Sequence, residues 1–147
     1  ATANYATSAS LASRGSSGYQ SFLRFSIPKT PTGKKLLSAQ LTLRTSDLSG
    51  AGSTDDHPVT LADNAWDETT VTWKKRPALT AKVLGTIKGA TAGNSAYDTT
   101  LSTAEVNKLA GTTATLAVTS SGTDNLWFWS VDHPNTTLRP ALVLTYG

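Results

Sequence analysis

Ser38-Ala39-Gln40-Leu41-Thr42-Leu43-Arg44-Thr45 alternates apolar and polar side chains without a break. In a strand, successive side chains point to opposite faces, so this octet predicts Ala39, Leu41 and Leu43 inward and Gln40, Thr42 and Arg44 outward. The same period runs from Gln20 to Ile27, with Leu23, Phe25 and Ile27 on one face and Phe22, Arg24 and Ser26 on the other. Further strands are expected at Val59–Leu61, Lys82–Ile87, Tyr97–Leu101, Thr113–Thr119, Leu126–Val131 and Ala141–Tyr146. Residues 1–20 read as a short strand and a loop through Ser16-Ser17-Gly18. Pro28–Lys35 and Asp47–Pro58 carry the proline, glycine and aspartate of turns. One segment breaks the pattern. Ser102-Thr103-Ala104-Glu105 has the form of a capping box, and Gly111 follows as a stop. Short strands separated by turn signals predict an all-β antiparallel sandwich or barrel with one short helix near residues 102–110.

The segment Leu61 to Pro77 holds the densest mixture of aromatic, acidic and basic residues. Asp63-Asn64 and Asp67-Glu68 favour turns. Thr69-Thr70-Val71-Thr72-Trp73 is β-branched and aromatic and reads as a strand. Lys74-Lys75-Arg76 then forms a basic exit ending at Pro77. Trp66 and Trp73 read either as core anchors or as part of a binding corner.

The chain has 147 residues, 38% hydrophobic and 16% charged, with a net charge of +3. That length supports one domain with a substantial core, residues 1–147. With no cysteine, disulfides and thiolate metal sites are excluded. No apolar run approaches the roughly 20 residues of a membrane span. The chain begins with Ala and lacks Met, as expected of a processed or excised piece. The basic balance points to anionic partners.

Catalytic signatures are sparse. His57 and His133 each lie between an aspartate and a proline and read as exposed loop residues. No G-x-S-x-G elbow accompanies them. Asp67 and Glu68 are adjacent, so on a strand they diverge and do not form a glycosidase pair. A small lyase needs a base and a neutralising Arg or Asn in one cleft, and no pattern groups such residues. Nucleic-acid motifs are likewise missing. No catalytic residues are assigned.

Binding residues are easier to nominate. Trp127-Phe128-Trp129 puts both indoles on one face of a strand and Phe128 on the other. If Phe128 is core, Trp127 and Trp129 form a platform for sugar rings; if not, both are buried. Arg24, Arg44 and Gln40 point outward from their strands, and Lys74, Lys75 and Arg76 are a reserve site. Arg24 has a second reading, as partner of an acid such as Glu68. An outward face with Trp127, Trp129, Arg24, Arg44 and Gln40 requires three strands to share one sheet.

Trp66-x-Glu68-x-x-Val71-Thr72-Trp73-x-x-x-Pro77 resembles the DNRLRE-type β-sandwich carbohydrate-binding modules attached to alginate lyases and other polysaccharide-degrading enzymes. Asn4-Tyr5-Ala6 looks like the family's Asn-Tyr-Gly, with Ala in the last place. Phe22-Leu23-Arg24-Phe25, Ser38 to Leu43, Ser130, Arg139-Pro140 and Leu142 to Tyr146 follow in the family's order. The family usually opens with an acidic strand before Asn-Tyr-Gly, and the sequence begins too late to show it. The resemblance implies a jelly-roll β-sandwich and a non-catalytic, secreted, extracellular bacterial module. Such a module is expected to act as a monomer that targets a catalytic domain of the same chain to an acidic polysaccharide such as alginate. No nucleic-acid or membrane partner is implied. A structural calcium fits such modules, though no acids are singled out to hold it. The alternatives are a structural or adhesive spacer and a small polysaccharide lyase.

Overall fold

A computed structural model describes residues 3–16 and 18–147; Ala1, Thr2 and Ser17, the middle of the expected early loop, lie outside the described residues. Among the described residues nine strands occur: β1 (Ser10–Ser13), β2 (Ser21–Ser26), β3 (Leu36–Arg44), β4 (His57–Ala62), β5 (Leu79–Ile87), β6 (Ala96–Leu101), β7 (Thr113–Val118), β8 (Leu126–Trp129) and β9 (Ala141–Tyr146). They form a four-stranded sheet β2-β7-β4-β5, a three-stranded sheet β6-β3-β9 and a ribbon β1-β8. Every pairing is antiparallel.

The two sheets close on one apolar core, which makes the fold a β-sandwich. Leu23, Val59, Leu84, Ile87, Leu116 and Val118 face Ala39, Leu41, Leu43 and Leu101 across it, with Leu126 and Phe128 joining from the ribbon. The inward faces of β2 and β3 are those that alternation assigns. β5 is longer than expected, and it runs close to β6. A Cβ on Gly85 would lie 2.3 Å from the Thr100 carbonyl oxygen, so only glycine allows this approach.

The ribbon joins the three-stranded sheet at one end. Thr45 and Phe128 form an isolated antiparallel bridge, and Ser46 N donates to Trp127 O at 2.9 Å. β2, by contrast, belongs to the opposite sheet, beside β7. The three strands carrying Arg24, Arg44 and the tryptophans therefore do not share one sheet.

The segment 63–78 is a loop, not a strand at 69–73. Asp67 Oδ1 accepts from the Thr69 amide at 2.8 Å and its hydroxyl at 2.6 Å. Val71 N donates back to Asp67 O at 2.9 Å. An aspartate turn thus uses up the donors that a strand would need. Asn4 Nδ2 donates to Glu68 O and Val71 O at 2.8 and 2.6 Å, tying the chain's beginning to this loop. The loop lies over β7: Trp66 Nε1 donates to Thr115 Oγ1 at 2.8 Å, and Thr115 donates to Asn64 Oδ1 at 2.6 Å. Covered on both faces, β7 is buried from Ala114 to Val118.

The helix α1 spans Thr103–Asn107, with Ser102 as its N-cap and Val106 buried. The expected box is half made. Ser102 Oγ accepts from Glu105 N at 3.4 Å, whereas the Glu105 carboxylate turns to Lys108 at 2.9 Å and Lys82 at 3.7 Å.

Candidate functional site

On β8 the alternation of Leu126-Trp127-Phe128-Trp129 resolves one way. Leu126 and Phe128 are 1% and 0% exposed, while Trp127 and Trp129 are half-buried. Phe128 is paired with buried Thr45. Their chain neighbours Trp127, Trp129 and Arg44 therefore point to the outer side. The residues opposite the tryptophans on β1 are small, Ala12 beside Trp127 and Ser10 beside Trp129.

Two further rings extend the tryptophans into a strip. Tyr19, an exposed residue, packs on Trp127 at 6.2 Å between centroids and 53° between planes. His133 packs on Trp129 at 4.4 Å and 55°. The sequence reading had neither. Tyr19 is delivered by the turn after β1, where Arg14 and Tyr19 form an isolated bridge. His133 is delivered by Ser130, whose hydroxyl donates to Ser8 O at 2.5 Å and accepts from Asp132 N at 3.0 Å. The resulting turn folds His133 back toward Trp129. The turn-forming Ser130-Val131-Asp132-His133-Pro134 was the available signal.

Arg44 is half-buried at the end of β3, and its Nη2 donates to Asn94 O and Oδ1, both at 3.0 Å. Gln40 is half-buried on the same outer face, two positions before Thr42, which donates to Asp98 at 2.7 Å.

Arg24 stands apart, on the outer side of the other sheet. Its guanidinium lies 4.2 Å from the Trp66 ring centroid, and Nη2 donates to Trp66 O at 2.6 Å and Asn64 O at 3.1 Å. Phe22 packs on the other partner of this stack, with centroids 6.1 Å apart from Trp66. Arg24 therefore clasps the 63–78 loop rather than Glu68. Trp66 here serves as a strap over β7.

Lys74, Lys75 and Arg76 are exposed at the far side of that loop. Arg76 stacks on Trp73, 4.0 Å from its centroid. Among the described residues the ion pairs are Lys82–Glu105, Lys88–Asp56 and Lys108–Glu105. No arginine of the described chain has a carboxylate partner.

His57 is neither exposed nor in a loop. It opens β4, is 0% exposed, and has Nδ1 2.9 Å from the Ser13 hydroxyl and Nε2 2.9 Å from the Ser53 hydroxyl. Burial holds its pKa below the ordinary value, against the pull of Asp55, Asp124 and Asp56. The carboxylates nearby brace loops: Asp124 Oδ2 accepts from the Thr54 amide and hydroxyl, which lowers its pKa. Asp55 Oδ2 accepts from Asp124 N at 2.7 Å. Among the described residues no group of three or more His, Cys, Asp or Glu is placed to hold a metal ion.

The arrangement offers a row of aromatic planes at the surface with cations that lack acid partners. Such planes stack on the C–H faces of sugars, and such cations attract anions. No curated protein matches the chain. The model of carbohydrate-binding module family 96 matches residues 1–146. On that match over nearly its whole length, the chain belongs to carbohydrate-binding module family 96.

Proposed function

We propose that this carbohydrate-binding module takes an acidic, uronate-containing polysaccharide such as alginate on the outer side carrying Trp127 and Trp129. One observation carries the reading: complete burial of Phe128 turns both indoles outward on the side of Arg44. The indoles supply stacking planes, and the Arg44 guanidinium, held through Nη2 by Asn94, supplies its charge and its Nη1 donors to a carboxylate. The net charge of +3 favours approach of a polyanion. The module is itself non-catalytic and acts as a monomer in a secreted, extracellular protein, holding a catalytic domain of the same parent chain against its substrate. Burial of His57 against two serines supports this, because it removes one of two histidines from contact with any substrate.

Electrophoresis through gels with and without alginate tests the proposal, with a neutral glucan alongside. Retardation is expected in alginate, weaker as salt screens the charges over roughly 8 Å at physiological ionic strength. Equal retardation by the neutral glucan, or retardation indifferent to salt, contradicts the acidic specificity. No retardation by any glycan leaves a structural or adhesive spacer. Unsaturated uronates or new reducing ends on incubation with the module contradict the non-catalytic role.

A further inference from the structure

The turn that delivers Tyr19 to Trp127 also touches the basic corner. Gly18, at φ 66°, faces the Trp73 indole so closely that a Cβ there would lie 3.1 Å from Cη2. The same indole carries the Arg76 guanidinium at 4.0 Å, and Arg76 Nη1 donates to Trp73 O at 2.5 Å. Trp73 thereby fixes the guanidinium beside the turn. Only one of its five N–H donors is used by the protein, among the described hydrogen bonds.

Gln20, next in the chain after Tyr19, lines an open depression of about 330 Å³ together with Lys74, Arg76, Pro77, Ala78 and Leu79. Tyr19, packed on Trp127, thus sits between Gly18, which faces Trp73, and Gln20, which lines the depression. Lys74 and Arg76 have no carboxylate within ion-pair distance among the described residues. A stacked guanidinium and an exposed ammonium beside the stacking strip match a sugar that bears a carboxylate. The guanidinium fork takes two oxygens and the ammonium adds a point charge.

We propose that this depression is a carboxylate subsite continuous with the aromatic strip. One uronate chain then runs from Trp129 over Trp127 and Tyr19 and sets a sugar carboxylate between Arg76 and Lys74. The proposal rests on the reading that the strip holds an acidic polysaccharide. The Tyr19 and Trp127 centroids are 6.2 Å apart, and Trp127 and Trp129 are about 7 Å apart along the strand. A short oligomer covers the indoles, and only a longer one reaches Arg76.

The test is calorimetric titration of the whole chain with short and long uronate oligomers, and with neutral and sulfated oligomers of the same lengths. Wild type is expected to bind the long uronate about tenfold more tightly than the short one, the scale of one charge-assisted contact. Lys74→Ala combined with Arg76→Gln should abolish that gain and leave the short oligomer unaffected. Ala78→Glu, which sets a negative charge in the depression without removing a polar side chain, should do the same if Arg76→Gln disturbs the corner. A length gain that survives both changes overturns the subsite. An equal gain for the sulfated oligomer overturns its assignment to carboxylate. If Trp127→Ala and Trp129→Ala leave short oligomers binding as before, the strip itself fails as the site. A wild type that binds no uronate oligomer overturns both proposals.

Discussion

His57 has a hydroxyl on each ring nitrogen, Ser13 at Nδ1 and Ser53 at Nε2. A neutral imidazole donates with one nitrogen and accepts with the other, which this pair of serines can satisfy; a charged one is two donors in a buried place. Desolvation keeps the folded pKa below the ordinary 6.5. As pH falls through 6.5 the unfolded chain therefore takes up the proton first. Stability is full above that pH and declines from there down to the depressed folded value. Asp56 and Asp124, lowered from 3.8 by their hydrogen bonds to Lys88 and Thr54, add a second decline at still lower pH. Melting curves across this range should show the first decline in wild type. His57→Gln should lose about 2 kcal/mol, since a buried hydroxyl loses its partner, and should flatten the decline just below pH 6.5. An unaltered pH curve in that variant would assign the decline to another group. Arg24→Ala is expected to cost about 1 kcal/mol through the lost Trp66 stack and carbonyl contacts, with glycan retention unchanged. Full stability combined with lost retention would instead make Arg24 a ligand contact.

At the scale of elements, the 63–78 loop depends on anchors at both ends of its path. Asn4 holds the carbonyls of Glu68 and Val71. Asn4→Ala should therefore lower stability by about 1–2 kcal/mol and raise amide exchange at Val71 and Thr69; protection unchanged there would show that Asp67 alone fixes the turn. The strands β2 and β3 were legible because alternation is local to each. Thr69–Trp73 was not, because β-branched residues carry strand propensity whether or not a neighbouring strand exists, and here the Asp67 turn and Trp66 strap win. His57 was misplaced for a related reason: Asp56-His57-Pro58 looks like a loop, yet His57 pairs with Ile87 at the start of β4. Pairing partners are properties of two segments, and alternation within one segment does not contain them. The same gap separated Arg24 from Arg44, each correctly outward but on opposite sheets.

For the whole molecule, two sheets and a ribbon bury Phe128 and leave a half-buried indole pair on the outer side, and the proposed binding face rests on this division. The outward side of Arg44 was readable from β3 alone, whereas β8 left open which face its indoles take. Tyr19 and His133 were not readable, since each reaches β8 through a turn whose path depends on hydrogen bonds to distant residues such as Ser8. The central claim is that Trp127 and Trp129 are the glycan platform. Its most direct measurement is the affinity of Trp127→Ala and Trp129→Ala for alginate, each variant first shown by its melting curve to be folded. Loss of one stacking contact costs about 1–3 kcal/mol by analogy with base stacking. The account predicts affinities lowered roughly fivefold to a hundredfold by either change. Folded variants that bind alginate as tightly as wild type would contradict it.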